Sequence, residues 1–145
     1  MFTRVLSSFA DRAYALLRIV SGAMFAFHGV QKILGVLGGE VATSADPLNF
    51  VGAWIELVAG TAIAIGLFTR FAGFLASGEM AVAYVSFHWK GAFDANFFPG
   101  VNHGELALLY SFLFLYVACR GSGRWALDAC LCKEPDHRGD GTGTS

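Results

Sequence analysis

The chain has 145 residues, of which 55% are hydrophobic and 14% charged, and its formal net charge is -1. This length allows one domain, and the composition is more apolar than soluble domains usually are. The near-zero charge excludes the basic surface that holds phosphates, so we expect no nucleic-acid partner.

The first apolar stretch, from Tyr14 to Leu34, is long enough to cross a bilayer as a helix. It is preceded by Arg12 as in a signal peptide, but Arg18 interrupts it and no small-residue cleavage site follows, so we interpret it as a retained helix. Residues at steps of three and four share one face of this helix: Arg18, Gly22, Phe25, Gly29 and Lys32. The glycines on that face predict close packing against a second helix.

The second and third spans are predicted at 50–68 and 71–89. Only Thr69-Arg70 separates them, which predicts a tight antiparallel hairpin. Glu56 and Glu79 each lie in a row of small residues on these helices, so we expect both carboxylates to face protein rather than lipid.

The remaining chain contains a loop, a fourth span and a tail. The loop at 91–100 mixes aromatic and turn residues and has two interpretations, an interfacial anchor or a lid over the bundle. The fourth span is predicted at 102–120, and the polar, glycine-rich tail at 133–145 is predicted to be disordered. Because an open sheet cannot satisfy its backbone in lipid, we predict an all-α fold, an antiparallel four-helix transmembrane bundle over residues 1–132.

Positive charges predict the orientation of this bundle. With both termini in the cytoplasm, that side would hold seven cations and the outer side two. The cytoplasmic set is Arg4, Arg12, Arg70, Arg120, Arg124, Lys133 and Arg138, and the outer pair is Lys32 and Lys90. Positive charge favours the cytoplasmic side, so we predict a multi-pass protein with cytoplasmic termini.

Ionisable residues fall at two depths within the predicted spans. Each charge costs roughly 2.5–3.5 kcal/mol at the bilayer centre and therefore needs an internal partner. At about 1.5 Å per residue, Arg18 and Glu79 lie at similar depth, and we predict that they form a structural ion pair. Nearer the outer surface we predict a polar cup made by His28, Gln31, Lys32, Glu56, His88, His103 and Glu105. Two interpretations of this cup remain open, a ligand or proton site and a hydrated rim.

A metal site is not favoured by the spacing of the potential ligands. No HxxxH or ExxH pairing joins His28, His88, His103 or Glu105. The three cysteines lie near the C-terminal end, and Cys130 and Cys132 together would supply only half of a zinc shell. Reduced cytoplasmic thiols are the simplest interpretation, with a redox pair at these two positions as the alternative.

Six short motifs occur in order between Arg18 and Asp128. They are RIVSG at 18–22, FHGVQK at 27–32, ELVAG at 56–60, GLFTR at 66–70, NHGE at 102–105 and GSGRWALD at 121–128. In this order and spacing they resemble the DoxX family of small bacterial membrane proteins. Trp125-Ala126 departs from the small polar residue that usually precedes Leu-Asp in that family.

The resemblance implies a four-helix protein of the bacterial inner membrane, associated with redox systems and quinones. Similar proteins serve as a subunit of a thiosulfate to quinone oxidoreductase or join complexes with soluble sulfur-handling enzymes. The chain has no haem, flavin or iron–sulfur signature, so we expect no covalently bound cofactor and no electron transfer by this chain alone.

The preferred hypothesis is a membrane subunit of a redox complex whose polar cup receives a quinone head group. His28 and Glu56 would contact the head group, and His103 and Glu105 would connect it to water. The expected partners are the lipid bilayer and soluble or membrane redox proteins. A non-enzymatic scaffold or assembly factor is the alternative, and a small-solute or proton permease, which would need a homo-oligomer, is a third hypothesis.

Overall fold

The computed structural model describes residues 2–131, with side chains described from Ser7 onward. The predicted tail at 133–145, together with Cys132, lies outside the described residues, as do two of the predicted cytoplasmic cations, Lys133 and Arg138. The described helices are α1 (Phe2–Leu34), α2 (Pro47–Ile65), α3 (Thr69–Ala83), α4 (Pro99–Asn102), α5 (Glu105–Arg120) and α6 (Leu127–Leu131). A π-helical segment (Tyr84–Trp89) continues α3, and a 3-10 turn (Ala95–Phe97) precedes α4. No strand occurs within this described part, which confirms the all-α class.

Two helical segments are long and apolar enough to cross a membrane, Ser7–Leu34 and Pro47–Ile65. The helices α3 and α5 are shorter, with 15 and 16 residues, although the π-helical segment lengthens α3 to Trp89. The first helix begins well before the predicted span because residues 2–13 contain neither glycine nor proline to stop it.

The boundaries of α2 follow from local chemistry. Asp46 caps its start by accepting a hydrogen bond from Asn49 N at 3.3 Å, and Pro47 occupies the first turn. The helix ends at Gly66, whose left-handed backbone (φ 74°) lets its N–H bond back to the last turn. The turn between α2 and α3 is therefore Gly66–Phe68, and the predicted turn at Thr69-Arg70 is wrong because those residues already belong to α3.

Glycines bring the backbones of α1 and α2 into direct contact. A methyl group added at Gly22 would lie 2.8 Å from the carbonyl oxygen of Gly60, and one at Gly60 would lie 2.8 Å from that of Gly22. Gly29 meets Ala53 O in the same way at 2.7 Å. The predicted close packing of this glycine face is confirmed, and the face is occupied within the chain itself.

The second close pair is α3 with α5, and aromatic rings join the two pairs. Gly73 lies against the α5 backbone, where an added methyl group would be 3.0 Å from Phe114 O. Phe25 of α1 packs on two α5 rings, with its centroid 4.8 Å from that of Phe114 and 5.8 Å from that of Tyr110. Buried side chains from all four of these helices form a common apolar core.

Candidate functional site

Arg18 is completely buried, and its guanidinium binds backbone carbonyls rather than a carboxylate. The Nη1 atom donates to Ile63 O and to Ala64 O (3.0 Å), and Nη2 donates to Trp125 O at 2.8 Å. The predicted ion pair of Arg18 with Glu79 is therefore wrong. Rise per residue fixes only the depth of a Cα atom, whereas a helical side chain leans toward the N-terminus of its helix. That lean takes the guanidinium to the carbonyls in the last turn of α2.

The C-terminal GSGRWALD motif closes the same end of the molecule. Asp128 accepts hydrogen bonds from Phe68 N (2.8 Å), Thr69 N (3.0 Å) and Thr69 Oγ1 (2.9 Å), so it caps the start of α3. Partial burial opposes ionisation of this carboxyl, but the hydrogen bonds from Thr69 and Phe68 outweigh it and hold the pKa of Asp128 below its usual value. Arg18, Asp128 and this motif therefore form a structural clasp.

A part-buried ion pair joins the last turn of α1 to α2. Lys32 Nζ lies 2.6 Å from Glu56 Oε1, and Glu56 is only 4% exposed. A carboxylate at this depth needs a compensating cation, which Lys32 supplies. The second oxygen, Glu56 Oε2, is buried and has no hydrogen-bond partner among the described residues.

Glu79 faces the same space from α3, although the predicted cup did not contain it. A methyl group at Gly52 would lie 3.1 Å from Glu79 Oε1, so the missing side chain at Gly52 makes room for this carboxylate. Gly52 is one helical turn before Glu56 on α2, which brings the two carboxylates to one side of that helix. Glu79 Oε2 is also buried without a partner in the described part of the chain.

These groups line a cavity of about 530 Å³ between α2 and α3, which is within the usual range for small-molecule sites. Its polar residues include Lys32, Glu56, Glu79 and His88. We call its exposed apolar lining the rim, and it comprises Leu48, Val51, Phe74, Leu75, Val82 and Phe87. The cavity therefore combines a buried polar end with an apolar opening.

The π-helical segment supplies His88 to this cavity. Its Nδ1 atom lies 3.2 Å from the carbonyl oxygen of Asn102, which can only accept a hydrogen bond. Nδ1 must therefore carry the proton, and in the neutral ring Nε2 is left as an acceptor. Single π-helical turns are rare and occur frequently at functional sites.

The structure brings together three of the seven predicted cup residues, Lys32, Glu56 and His88. The other four do not line the cavity: His28, Gln31, His103 and Glu105. Gln31 instead donates to Leu37 O at 3.3 Å, while His103 and Glu105 are exposed beside the start of α5. Depth from the rise of the helix says nothing about direction around its axis, which is why these four were grouped with the others.

The aromatic loop does not cover the cavity, because no residue of 91–100 lines it. Its rings pack on each other instead, with the centroid of Trp89 5.4 Å from that of Phe93 and 6.0 Å from that of Phe97. Phe93 is 85% exposed. These contacts favour the anchor interpretation over the lid.

The described residues contain no group of three His, Cys, Asp or Glu side chains that could hold a metal ion. Cys119 and Cys130 are both exposed free thiols. The alternative interpretation, a redox pair of Cys130 and Cys132, involves Cys132, which lies outside the described residues.

The chain is similar to known proteins over the region that contains the polar residues of the cavity. The model of the DoxX family matches residues 13–89, a range that contains Lys32, Glu56, Glu79 and His88. A Haemophilus influenzae protein named "Uncharacterized protein" is 48% identical over 118 residues, which cover 79% of this chain and 87% of that protein. A Bacillus subtilis protein named "Putative oxidoreductase CatD" is 31% identical over 123 residues, which cover 81% and 86%. No solved structure matches the chain.

Proposed function

This chain belongs to the DoxX family, and from that premise we propose that it is a multi-pass protein of the bacterial inner membrane and a subunit of a quinone-linked redox complex. In this proposal α1, α2, α3 with its π-helical extension, and α5 cross the bilayer as an antiparallel bundle. Both termini lie in the cytoplasm, and the cavity opens in the outer half of the membrane.

The outward faces of the two shorter helices support their place in the bilayer. Phe74 on α3 is 69% exposed, and Leu109 and Phe112 on α5 are 66% and 64% exposed. Large apolar side chains that are exposed in this way suit contact with a membrane or another protein. Lipid contact along α3 and α5 is what a four-span arrangement requires.

The cavity between α2 and α3 is the observation that carries the proposed function. Its polar end would bind the head group of a quinone, and its exposed apolar rim would let the tail remain in the bilayer. Lys32 can donate a hydrogen bond to a quinone oxygen, while Glu56, Glu79 and His88 are groups that exchange protons. Redox chemistry of quinones takes up and releases protons, so a site of this composition suits it.

The scaffold hypothesis is less well supported. It relied on small-residue faces that would hold helices of a partner, but Gly22, Gly29 and Gly60 lie against backbone of this same chain. A partner helix would have to use other surfaces.

Binding of a short-chain quinone tests the proposal. Purified protein in lipid nanodiscs should bind decylubiquinone, measured by equilibrium dialysis. Gly78 lines the cavity, and a Cβ atom there would meet nothing within 4 Å, so Gly78→Leu should fit without disturbing the fold. We expect this variant to bind at least tenfold more weakly, because the new side chain occupies the cavity.

Ala81→Leu is the matched control, since Ala81 is exposed on the same helix and does not line the cavity. It should bind as the wild type does. Absence of binding to the wild type, or equal binding by Gly78→Leu, would overturn the proposed site.

A further inference from the structure

The unoccupied hydrogen-bonding groups of the cavity point to one redox state of its ligand. We propose that the site binds the reduced, hydroxyl-bearing form of the quinone in preference to the oxidised form. This inference rests on the proposed function, because it specifies the ligand of that same cavity.

The unpartnered buried acceptor of the cavity is Glu56 Oε2, which has no hydrogen-bond partner among the described residues and belongs to the carboxylate paired with Lys32. Glu79 Oε2 is also buried without a partner there, but no cation pairs with Glu79, so its carboxyl can hold a proton and act as a donor. Glu56 is more than nine-tenths buried, so its free oxygen lacks ready access to bulk solvent. A buried acceptor without a donor is unfavourable, and a ligand that supplies the donor recovers that free energy.

His88 adds a second acceptor. Its Nδ1 hydrogen is directed to Asn102 O, which leaves Nε2 with a lone pair in the neutral ring. The remaining carboxylate of the lining, Asp46, already accepts a hydrogen bond from Asn49 N at the start of α2. Glu56 Oε2 and His88 Nε2 are therefore left as acceptors for a ligand hydroxyl.

Lys32 is the cation of the lining and its strongest donor. One hydrogen of its ammonium group is directed to Glu56 Oε1, and an ammonium has two more. These can bind a ligand oxygen in either redox state, so Lys32 does not distinguish the two forms.

The two forms differ in what their oxygens can offer. A quinone carbonyl only accepts hydrogen bonds, so it would leave Glu56 Oε2 unpartnered and place its own lone pairs beside it. A hydroquinone hydroxyl both accepts and donates, so it can bind Lys32 and a carboxylate oxygen at once. Hydrogen bonds to carboxylates are among the stronger ones, which is the source of the expected preference.

Preferential binding of the reduced form also has an electrochemical consequence. A tenfold preference would raise the two-electron reduction potential of the bound quinone by about 30 mV. The site would then hold a bound ligand that is a slightly stronger oxidant than the free pool.

The test compares decylubiquinol, kept reduced under anaerobic conditions, with decylubiquinone on the wild-type protein in lipid nanodiscs. We expect the dissociation constant of the quinol to be at least tenfold lower. Glu56→Gln should reduce this ratio toward one, because the amide of glutamine offers a donor to the quinone carbonyl. Glu40→Gln, an exposed loop carboxylate that does not line the cavity, should leave the ratio unchanged.

The outcomes separate this inference from the proposed function. Equal affinity for both forms, or tighter binding of the quinone, would overturn the preference and leave the quinone site intact. Binding of neither form would overturn both. An unchanged ratio in Glu56→Gln would also overturn the preference, because Glu56 Oε2 is the acceptor on which it rests.

Discussion

Arg18 shows that backbone carbonyls can hold a buried guanidinium, although its Nε atom has no hydrogen-bond partner among the described residues. The two terminal nitrogens donate to carbonyls in the last turn of α2 and in the C-terminal motif. The carbonyls also carry the negative end of the helix dipole, so a cation is favoured there. No carboxylate is needed to hold this side chain in place.

This arrangement predicts unequal effects of two substitutions. Arg18→Gln should lower the free energy of unfolding by about 2–4 kcal/mol, because a buried residue loses several charged hydrogen bonds at once. Glu79→Gln should change it by less than about 1 kcal/mol, since Arg18 keeps all of its partners. Unfolding in detergent, followed by circular dichroism, measures both. Equal losses would contradict the central role given to the Arg18 hydrogen bonds.

Asp128 predicts a pH dependence at the same end of the molecule. Its native pKa is below the usual 3.8, so the native state binds fewer protons than the unfolded state and stability rises with pH through this range. The contribution of Asp128 is therefore complete above the unfolded pKa and is lost as the pH falls through the native one. At neutral pH, Asp128→Asn should cost roughly 1 kcal/mol, as loss of a helix cap does. The difference in unfolding free energy between wild type and Asp128→Asn should shrink in acid. A difference that stays constant until Asp128 is fully protonated would contradict the role of its charge.

At the scale of helices, the sequence predicted packing faces better than it predicted which polar side chains meet. The glycine face of α1 follows from spacing alone, because residues at steps of three and four must share a face. The end of α2 was missed because its apolar pattern continues through Leu67 and Phe68, while the left-handed backbone of Gly66 already stops the helix. Lys32, Glu56 and His88 were grouped correctly by depth, but depth alone also admitted His28 and Gln31.

Two glycine substitutions test the helix contacts. Gly60→Ala places a methyl group 2.8 Å from Gly22 O and should destabilise the protein by roughly 1–3 kcal/mol, because backbone cannot move aside cheaply. Gly78→Ala meets no atom within 4 Å and should be neutral or stabilising by about 0.5–1 kcal/mol, through its better helix propensity. Both changes raise helix propensity in the same way, so the difference between their melting temperatures in one detergent reports how tightly the backbone is packed at Gly60. Similar effects of the two would contradict direct contact between α1 and α2.

At the scale of the whole molecule, the position of the cavity follows from how the helices are connected. The turn at Gly66–Phe68 holds the end of α2 beside the start of α3, and the clasp of Arg18 and Asp128 reinforces that end. The cavity is lined by the first half of α2 and the later part of α3, away from this turn. The turn and the clasp thus fix one end of α2 and α3, and the polar cavity lies toward the other end.

The orientation of the molecule decides from which side of the membrane this cavity is reached. The arginines near the turn and the C-terminal clasp predict that this end is cytoplasmic and that the polar end of the cavity lies in the outer half. Thiol labelling with a membrane-impermeant maleimide on spheroplasts tests it. One variant keeps only the exposed native Cys130, and the other carries Glu40→Cys, in the exposed loop between α1 and α2, without the native cysteines.

We expect Glu40→Cys to be labelled on intact spheroplasts and Cys130 only after permeabilisation, because an odd number of spans separates the two positions. Labelling of Cys130 but not of Glu40→Cys on intact spheroplasts would indicate the opposite orientation, with the cavity in the inner half of the membrane. Labelling of both on intact spheroplasts would place them on one side and would contradict four spans. With the expected result, a quinone would reach Lys32 and Glu56 laterally, through the apolar rim between α2 and α3, in the half of the bilayer opposite the C-terminal clasp.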